Sequence, residues 1–160
     1  MRLTVYTDYT MRVLMYLAVK HPSGELATID DVSNAYGISK AHLMKIVNEL
    51  AAAGYLSTVR GRGGGMRLAR PPEQISIGEV VRFAEKDFSV VACHDQAVEV
   101  DCAIYPACRL RHTMRRAVEA FLRELDALSL ADAVDKPRQA VTLLGMQAPK
   151  GRRGARQGQS

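Results

Sequence analysis

ISKAHLMKIVNELAAAGYLSTVRGRGGGMRLAR, residues 38–70, decides the fold of this chain. Ser39 offers a side-chain oxygen to the free N–H groups of a helix start. Behind it Leu43, Ile46, Val47 and Leu50 recur at helical spacing, and Gly54 stops the run. Two short alternating runs follow, Tyr55 to Arg60 and Met66 to Arg70, on either side of Gly61-Arg62-Gly63-Gly64-Gly65. That pattern predicts a hairpin with a glycine-rich tip.

Upstream, Thr28 and Asp31 mark another helix start, with Val32 and Tyr36 inward and Gly37 as its stop. Gly37-Ile38 therefore joins two helices as a helix-turn-helix. Met11, Leu14, Met15 and Ala18 fall at i, i+3, i+4 and i+7, which predicts a first helix from about Asp8 to Lys20. Three helices and a glycine-tipped ribbon are the parts of a winged helix. The expected class is mainly α with a small β-hairpin: a winged helix-turn-helix plus a long dimerisation helix.

Such a fold puts the polar face of the third helix in a DNA major groove, presenting Ala41, His42, Lys45 and Asn48, with Ser39 and Lys40 at its start. Arg60 and Arg62 at the wing tip would reach a neighbouring minor groove. Lysines on a helix face are ordinarily just solvated, and a glycine-rich turn is ordinarily just a turn; the succession of the two carries the inference. A phosphate cradle is excluded, because no Gly-Lys-Ser/Thr follows and no helix opens after the glycines.

Charge agrees. The chain has a formal net charge of +5, yet residues 38–70 hold six basic residues against the single acid Glu49. Lys150, Arg152, Arg153 and Arg156 add a basic tail without an acid, so the remainder is net acidic. A local positive patch on an acidic body is the footprint of a nucleic-acid binder. With 48% apolar and 24% charged residues in 160, the composition is that of a globular protein able to bury a core. No apolar run spans a bilayer and no secretory signal is visible, so the expected location is the cytoplasm, with no membrane partner.

After Pro71-Pro72, Ser76 and Glu79 predict a capping box, with Ile75 and Val80 as its hydrophobic staple. Ile77, Val80, Val81 and Ala84 make the fourth helix amphipathic. Residues 1–87 thus form the expected DNA-binding domain, 88–108 a cysteine loop, 109–135 a long helix with a short follower, and 136–160 an irregular basic tail. In the long helix Leu110, Met114, Ala117, Phe121, Leu125 and Leu128 form a narrow apolar seam. Such a seam suits a twofold homodimer on palindromic DNA; packing on its own domain is the alternative.

The loop holds all three cysteines, Cys93, Cys102 and Cys108, with Asp95, Glu99 and Asp101 between them and no Lys or Arg. An odd number of thiols in a reducing compartment argues against disulfides and for metal or redox chemistry. Zinc fingers pair their ligands as Cys-x2-Cys, whereas eight and then five residues intervene here, so zinc is poorly matched though open. Three thiolates with irregular spacing suit an iron-sulfur cluster whose last ligand comes from elsewhere. Catalysis is not expected, since adjacent residues such as Cys93 and His94 seldom face each other and no substrate pocket is evident. A small electron carrier is a rival, but it would not need a winged helix.

Leu3-Thr4 to Asp8-Tyr9, Ser39 to Leu43, Ala53-Gly54 to Gly65, and the cysteine loop with its long helix together resemble the NsrR/IscR family of winged-helix iron-sulfur regulators, over roughly residues 1 to 135. The resemblance implies a homodimer on double-stranded operator DNA, with paired long helices and each cluster loop near the other subunit's first helix. The IscR branch carries a histidine three positions after its last cysteine; here that position is Arg111, with His112 one place late. Asp8 matches the aspartate that the NsrR branch supplies from the opposite subunit, although a carboxylate there can also simply favour a helix start. His94 and His112 are reserve ligands. The NsrR branch implies a repressor that senses nitric oxide through its cluster, 4Fe-4S in preference to 2Fe-2S, and releases its operator on nitrosylation. An IscR-type sensor of iron or redox status is the alternative.

Overall fold

The computed structural model describes residues 2–94 and 100–146. Asp95 and Glu99 of the acidic stretch, and Lys150, Arg152, Arg153 and Arg156 of the tail, lie outside the described residues. The helices are α1 (Val5–Lys20), α2 (Ile29–Tyr36), α3 (Lys40–Ala52), α4 (Ile77–Ala84), α5 (Arg109–Asp126) and α6 (Pro137–Leu143). A two-stranded antiparallel hairpin, β1 (Leu56–Val59) and β2 (Gly65–Leu68), lies between α3 and α4. This is the expected mainly α class with a small hairpin.

Helix α1 begins at Val5, not near Asp8, because the Thr4 hydroxyl accepts the Thr7 N–H at 3.2 Å and caps it. Glu85, just beyond α4, closes this corner: its carboxylate accepts the Thr4 N–H and the Thr7 hydroxyl, each at 2.8 Å. Val13 and Leu14 of α1, Leu43, Ile46 and Leu50 of α3, and Val80 and Val81 of α4 form one buried core.

In α2 both halves of a capping box are present, with Asp31 N–H on Thr28 Oγ1 at 3.1 Å and Thr28 N–H on Asp31 Oδ2 at 2.7 Å. Gly37 ends the helix at φ 66°, a left-handed conformation that costs a side-chain-bearing residue roughly 1 to 2 kcal/mol. Ser33 Oγ then donates to the Ile38 carbonyl at 2.7 Å, and buried Ile38 fixes the turn into α3.

The hairpin pairs Leu56 with Leu68 and Val59 with Gly65. Its base gains a third edge, since Ala27 and Met66 exchange both backbone hydrogen bonds at 2.9 and 2.7 Å. Gly65 is needed there: a Cβ would stand 2.5 Å from the Ala27 carbonyl oxygen.

Ser76 caps α4 through the Glu79 N–H, but the Glu79 carboxylate turns to Arg70, so the expected box is half formed. The stronger partner wins, because a guanidinium bonds a carboxylate more strongly than a neutral N–H does. Helix α5 is fastened at its C-terminal end. Ile77 N–H donates to Leu128 O at 2.9 Å, Leu130 N–H donates to Ile75 O at 2.8 Å, and Asp126 takes a two-pronged bond from Arg82. A Cβ on Gly78 would overlap the Asp126 carboxylate, so α4 and α5 touch at a glycine.

Residues 136–160 were expected to be irregular, yet 137–143 form α6, opened by Pro137 at its first turn, and Leu144 and Met146 behind it pack on the core. Seven residues are too few to show a helical period. Among the described residues, no helix is long and apolar enough to cross a membrane.

Candidate nucleic-acid interface and cysteine segment

Helix α3 divides cleanly. Leu43, Ile46, Val47 and Leu50 are buried, whereas Lys40, Ala41, His42, Lys45 and Asn48 are exposed. Ser39 caps the helix, and its Oγ lies 3.1 Å from His42 Nδ1, so the cap also holds the histidine ring. That ring sits 6.0 Å from the Tyr9 ring of α1. Lys40 is already engaged, with Nζ 2.9 Å from Asp30 Oδ1 at the start of α2. Lys45 Nζ lies 6.0 Å from the centroid of the Tyr6 ring, and Tyr6 Oη donates to Glu49. Burial first, then that hydrogen bond, pushes the Tyr6 hydroxyl up to about 12.

Two kinds of residue on this face escaped the sequence reading. Met44, 50% exposed, continues a stripe of Ala41, Lys45 and Asn48 at i, i+3, i+4 and i+7, and the spacing counted from Ala41 would have found it. Its apolar side chain is suited to contact with thymine methyl groups. Tyr6 and Tyr9 come from another helix, and no local signal announces them.

At the wing tip Arg60 and Arg62 are exposed. Gly61 and Gly63 take positive φ there, and Gly64 N–H donates to Gly61 O at 2.9 Å. The wing base is held by Arg70, whose guanidinium lies 5.2 Å from the Tyr55 ring centroid, donates to Gln74 O at 3.1 Å and pairs with Glu79. The Tyr55 hydroxyl is pushed up to about 12, by burial and then by Glu79. Recognition helix and wing therefore project from one braced body, the arrangement by which a winged helix reaches two grooves.

The cysteines occupy the stretch between α4 and α5. Cys93 lies in a single helical turn, Ala92–His94, and Cys108 immediately precedes α5 with its N–H on Tyr105 O at 3.3 Å. Cys102 is exposed, Cys93 and Cys108 are half-buried, and all three thiols are free. His94 Nε2 lies 2.9 Å from the Arg111 carbonyl, and His112 Nε2 accepts from Arg111 Nε at 3.2 Å, so both reserve histidines have hydrogen-bonding roles. Asp8 is exposed in the first turn of α1 and paired with Arg12, Nη2 to Oδ2 at 3.0 Å. As a donor set, three free thiols suit a thiophilic metal centre. Among the described residues, however, no three His, Cys, Asp or Glu side chains converge to hold a metal ion within one chain.

The seam of α5 is shared. Leu122 and Leu125 pack against the chain's own core, whereas Leu110 is 58% exposed and Leu128 is exposed. Met114 and Phe121 are half-buried, and no residue of α5 is fully buried.

A family described as "Rrf2: Iron-dependent Transcriptional regulator" matches residues 3–136. This chain belongs to the Rrf2 family. It is 47% identical over 146 residues to the HTH-type transcriptional regulator NsrR of Bacillus subtilis, covering 91% of this chain and 99% of that one. It is also 47% identical to NsrR of Bacillus licheniformis, over 84% of this chain and 92% of the relative. The resemblance to NsrR-type regulators read from the residues is thus borne out. Among solved structures, CymR (YrzC), the global cysteine regulator of B. subtilis, superposes with a TM-score of 0.68 at 24% identity, over 84% of this chain and 97% of that one. T. potens IscR gives 0.65 at 21%, over 88% and 90%. At these identities the two structures speak for the fold, and the chain is a transcriptional regulator of the Rrf2/NsrR type on its sequence relatives.

Proposed function

We propose that this chain is a homodimeric repressor that binds double-stranded operator DNA through Ser39, Lys40, His42, Lys45, Arg60 and Arg62, and senses nitric oxide through an iron-sulfur cluster on Cys93, Cys102 and Cys108. The observation that carries the sensing half is three free thiols, none of them fully buried, in one stretch that leads directly into α5. The "iron-dependent" description of the family and the name NsrR of the relatives favour the same reading. A bound cluster, 4Fe-4S or 2Fe-2S, would supply irons open to attack by nitric oxide.

The chain's own residues do the rest. The hydrogen bond between His94 and the Arg111 carbonyl holds the turn bearing Cys93 against the start of α5, beside Cys108, and the three thiols would hold the cluster there. Leu110, Met114 and Phe121 offer an apolar surface to a second copy, and Asp8 of the partner subunit completes the ligand set, for which it must leave Arg12. Loss of these ligands would change how the two recognition helices are spaced and lower operator affinity.

Anaerobically purified protein should contain iron and sulfide and bind duplex DNA selected by the protein from a random pool. Nitric oxide should bleach its absorption and release the DNA together. Bleaching without release would exclude the cluster as a sensor.

A further inference from the structure

Two tyrosines of α1 touch the recognition helix, and one of them bears on its charge. Glu49 is the only acid between Ile38 and Arg70. It lies one turn beyond Lys45, at the i, i+4 spacing where opposite charges pair along a helix. They do not pair here. Among the described residues Lys45 has no ion pair, its Nζ instead facing the Tyr6 ring at 6.0 Å, while the Tyr6 hydroxyl donates to Glu49.

The geometry points to Tyr6 as a positioning residue for DNA binding: its hydroxyl withholds the Glu49 carboxylate from Lys45 while its ring face orients the ammonium, leaving that positive charge available to a DNA phosphate. A lysine neutralised by its own helix releases no counterion on binding, so the tyrosine decides whether Lys45 counts electrostatically. An ammonium over a ring face keeps its charge, whereas a carboxylate partner cancels it. The hydroxyl, whose pKa is raised to about 12, remains a donor at neutral pH, so the restraint is permanent there. Tyr6 and Glu49 are 43 positions apart, and only the packing of α1 against α3 brings them together. This inference rests on the proposed placement of Lys45 against DNA.

The test is the salt dependence of binding to mixed-sequence duplex DNA, which reports phosphate neutralisation without needing the operator. The wild type is compared with Tyr6→Phe, Lys45→Ala, Glu49→Gln and the double variants Tyr6→Phe/Glu49→Gln and Tyr6→Phe/Lys45→Ala. Tyr6→Phe, which keeps the ring, should make the slope of log K against log salt shallower by about 0.9, the value of one phosphate. Lys45→Ala should do the same, and the two together should lose no more than either alone. Adding Glu49→Gln to Tyr6→Phe should restore the wild-type slope, a rescue that a purely structural role for Tyr6 would not give. A wild-type slope in Tyr6→Phe, or a loss that Glu49→Gln leaves in place, overturns the inference alone. An unchanged slope in Lys45→Ala overturns the placement of Lys45 and the inference with it.

Discussion

The body formed by α1 to α4 and the helix α5 show two ways of using apolar residues. In the first, Leu14, Leu43, Ile46 and Val80 are fully buried by their own chain, and caps and bridges close every element. In the second, no residue of eighteen is fully buried and Leu110 stands in the open. A helix with an apolar seam that its own chain leaves uncovered is stable when another surface covers it. The body of α1 to α4 closes its core within one chain, whereas the seam of α5 is left partly open.

The most severe test of that contrast is Phe121→Asp. In the proposed homodimer this carboxylate would be buried unpaired, so the two copies should separate and tight operator binding should vanish, as light scattering and DNA titration would show. If the variant stays dimeric, the seam serves its own domain. Leu43→Ala should destabilise the chain by about 2 to 5 kcal/mol in denaturant titration, whereas Leu110→Ala should cost the isolated chain no more than about 0.5 kcal/mol. Equal losses would erase the distinction between the regions.

Within the DNA-binding body, Arg60→Ala should weaken operator binding by about 1 to 3 kcal/mol while leaving the unfolding midpoint in place. The smallest effect belongs to the joint between the regions. Hydrogen bonds from Arg82 hold the Asp126 carboxyl below the usual carboxylate range. A lowered pKa gives stability that is present above the unfolded value of about 3.9 and lost as the pH falls through the folded one. Asp126→Asn should therefore lower stability slightly above about pH 4, and its difference from the wild type should vanish as the pH falls through the acid range.

Local chemistry was legible in the sequence. Thr28, Ser39 and Ser76 cap where their neighbours predicted, Gly37 turns where a left-handed residue was needed, and the glycine-rich tip divides the hairpin. What failed did so through competition or brevity. Thr4 displaced Asp8 as the start of α1, Arg70 took Glu79 from its capping box, and α6 was too short to show a period. In the candidate site, exposed residues of α3 and the wing followed from the apolar positions opposite them. The supports of that face did not, because Tyr6 to Glu49 and Tyr9 to His42 are contacts between helices distant in sequence. The cysteines could be counted but not gathered, since no three ligands converge among the described residues of one chain.

The close contact at Gly78 makes α5 a lever. Its fulcrum is at Asp126, whose carboxylate stands against Gly78 and leaves no room for a methyl group, and its arm is 18 residues long, roughly 27 Å. A tilt of about 10° at the fulcrum would swing the far end by about 5 Å, roughly one helical turn. Cys108 sits at that far end, and the turn bearing Cys93 is hitched to it through His94 and Arg111. A displacement of several ångströms at Cys108 would reach the contact with α4 as a tilt of a few degrees, and α4 is joined to the base of the wing through Glu79 and Arg70.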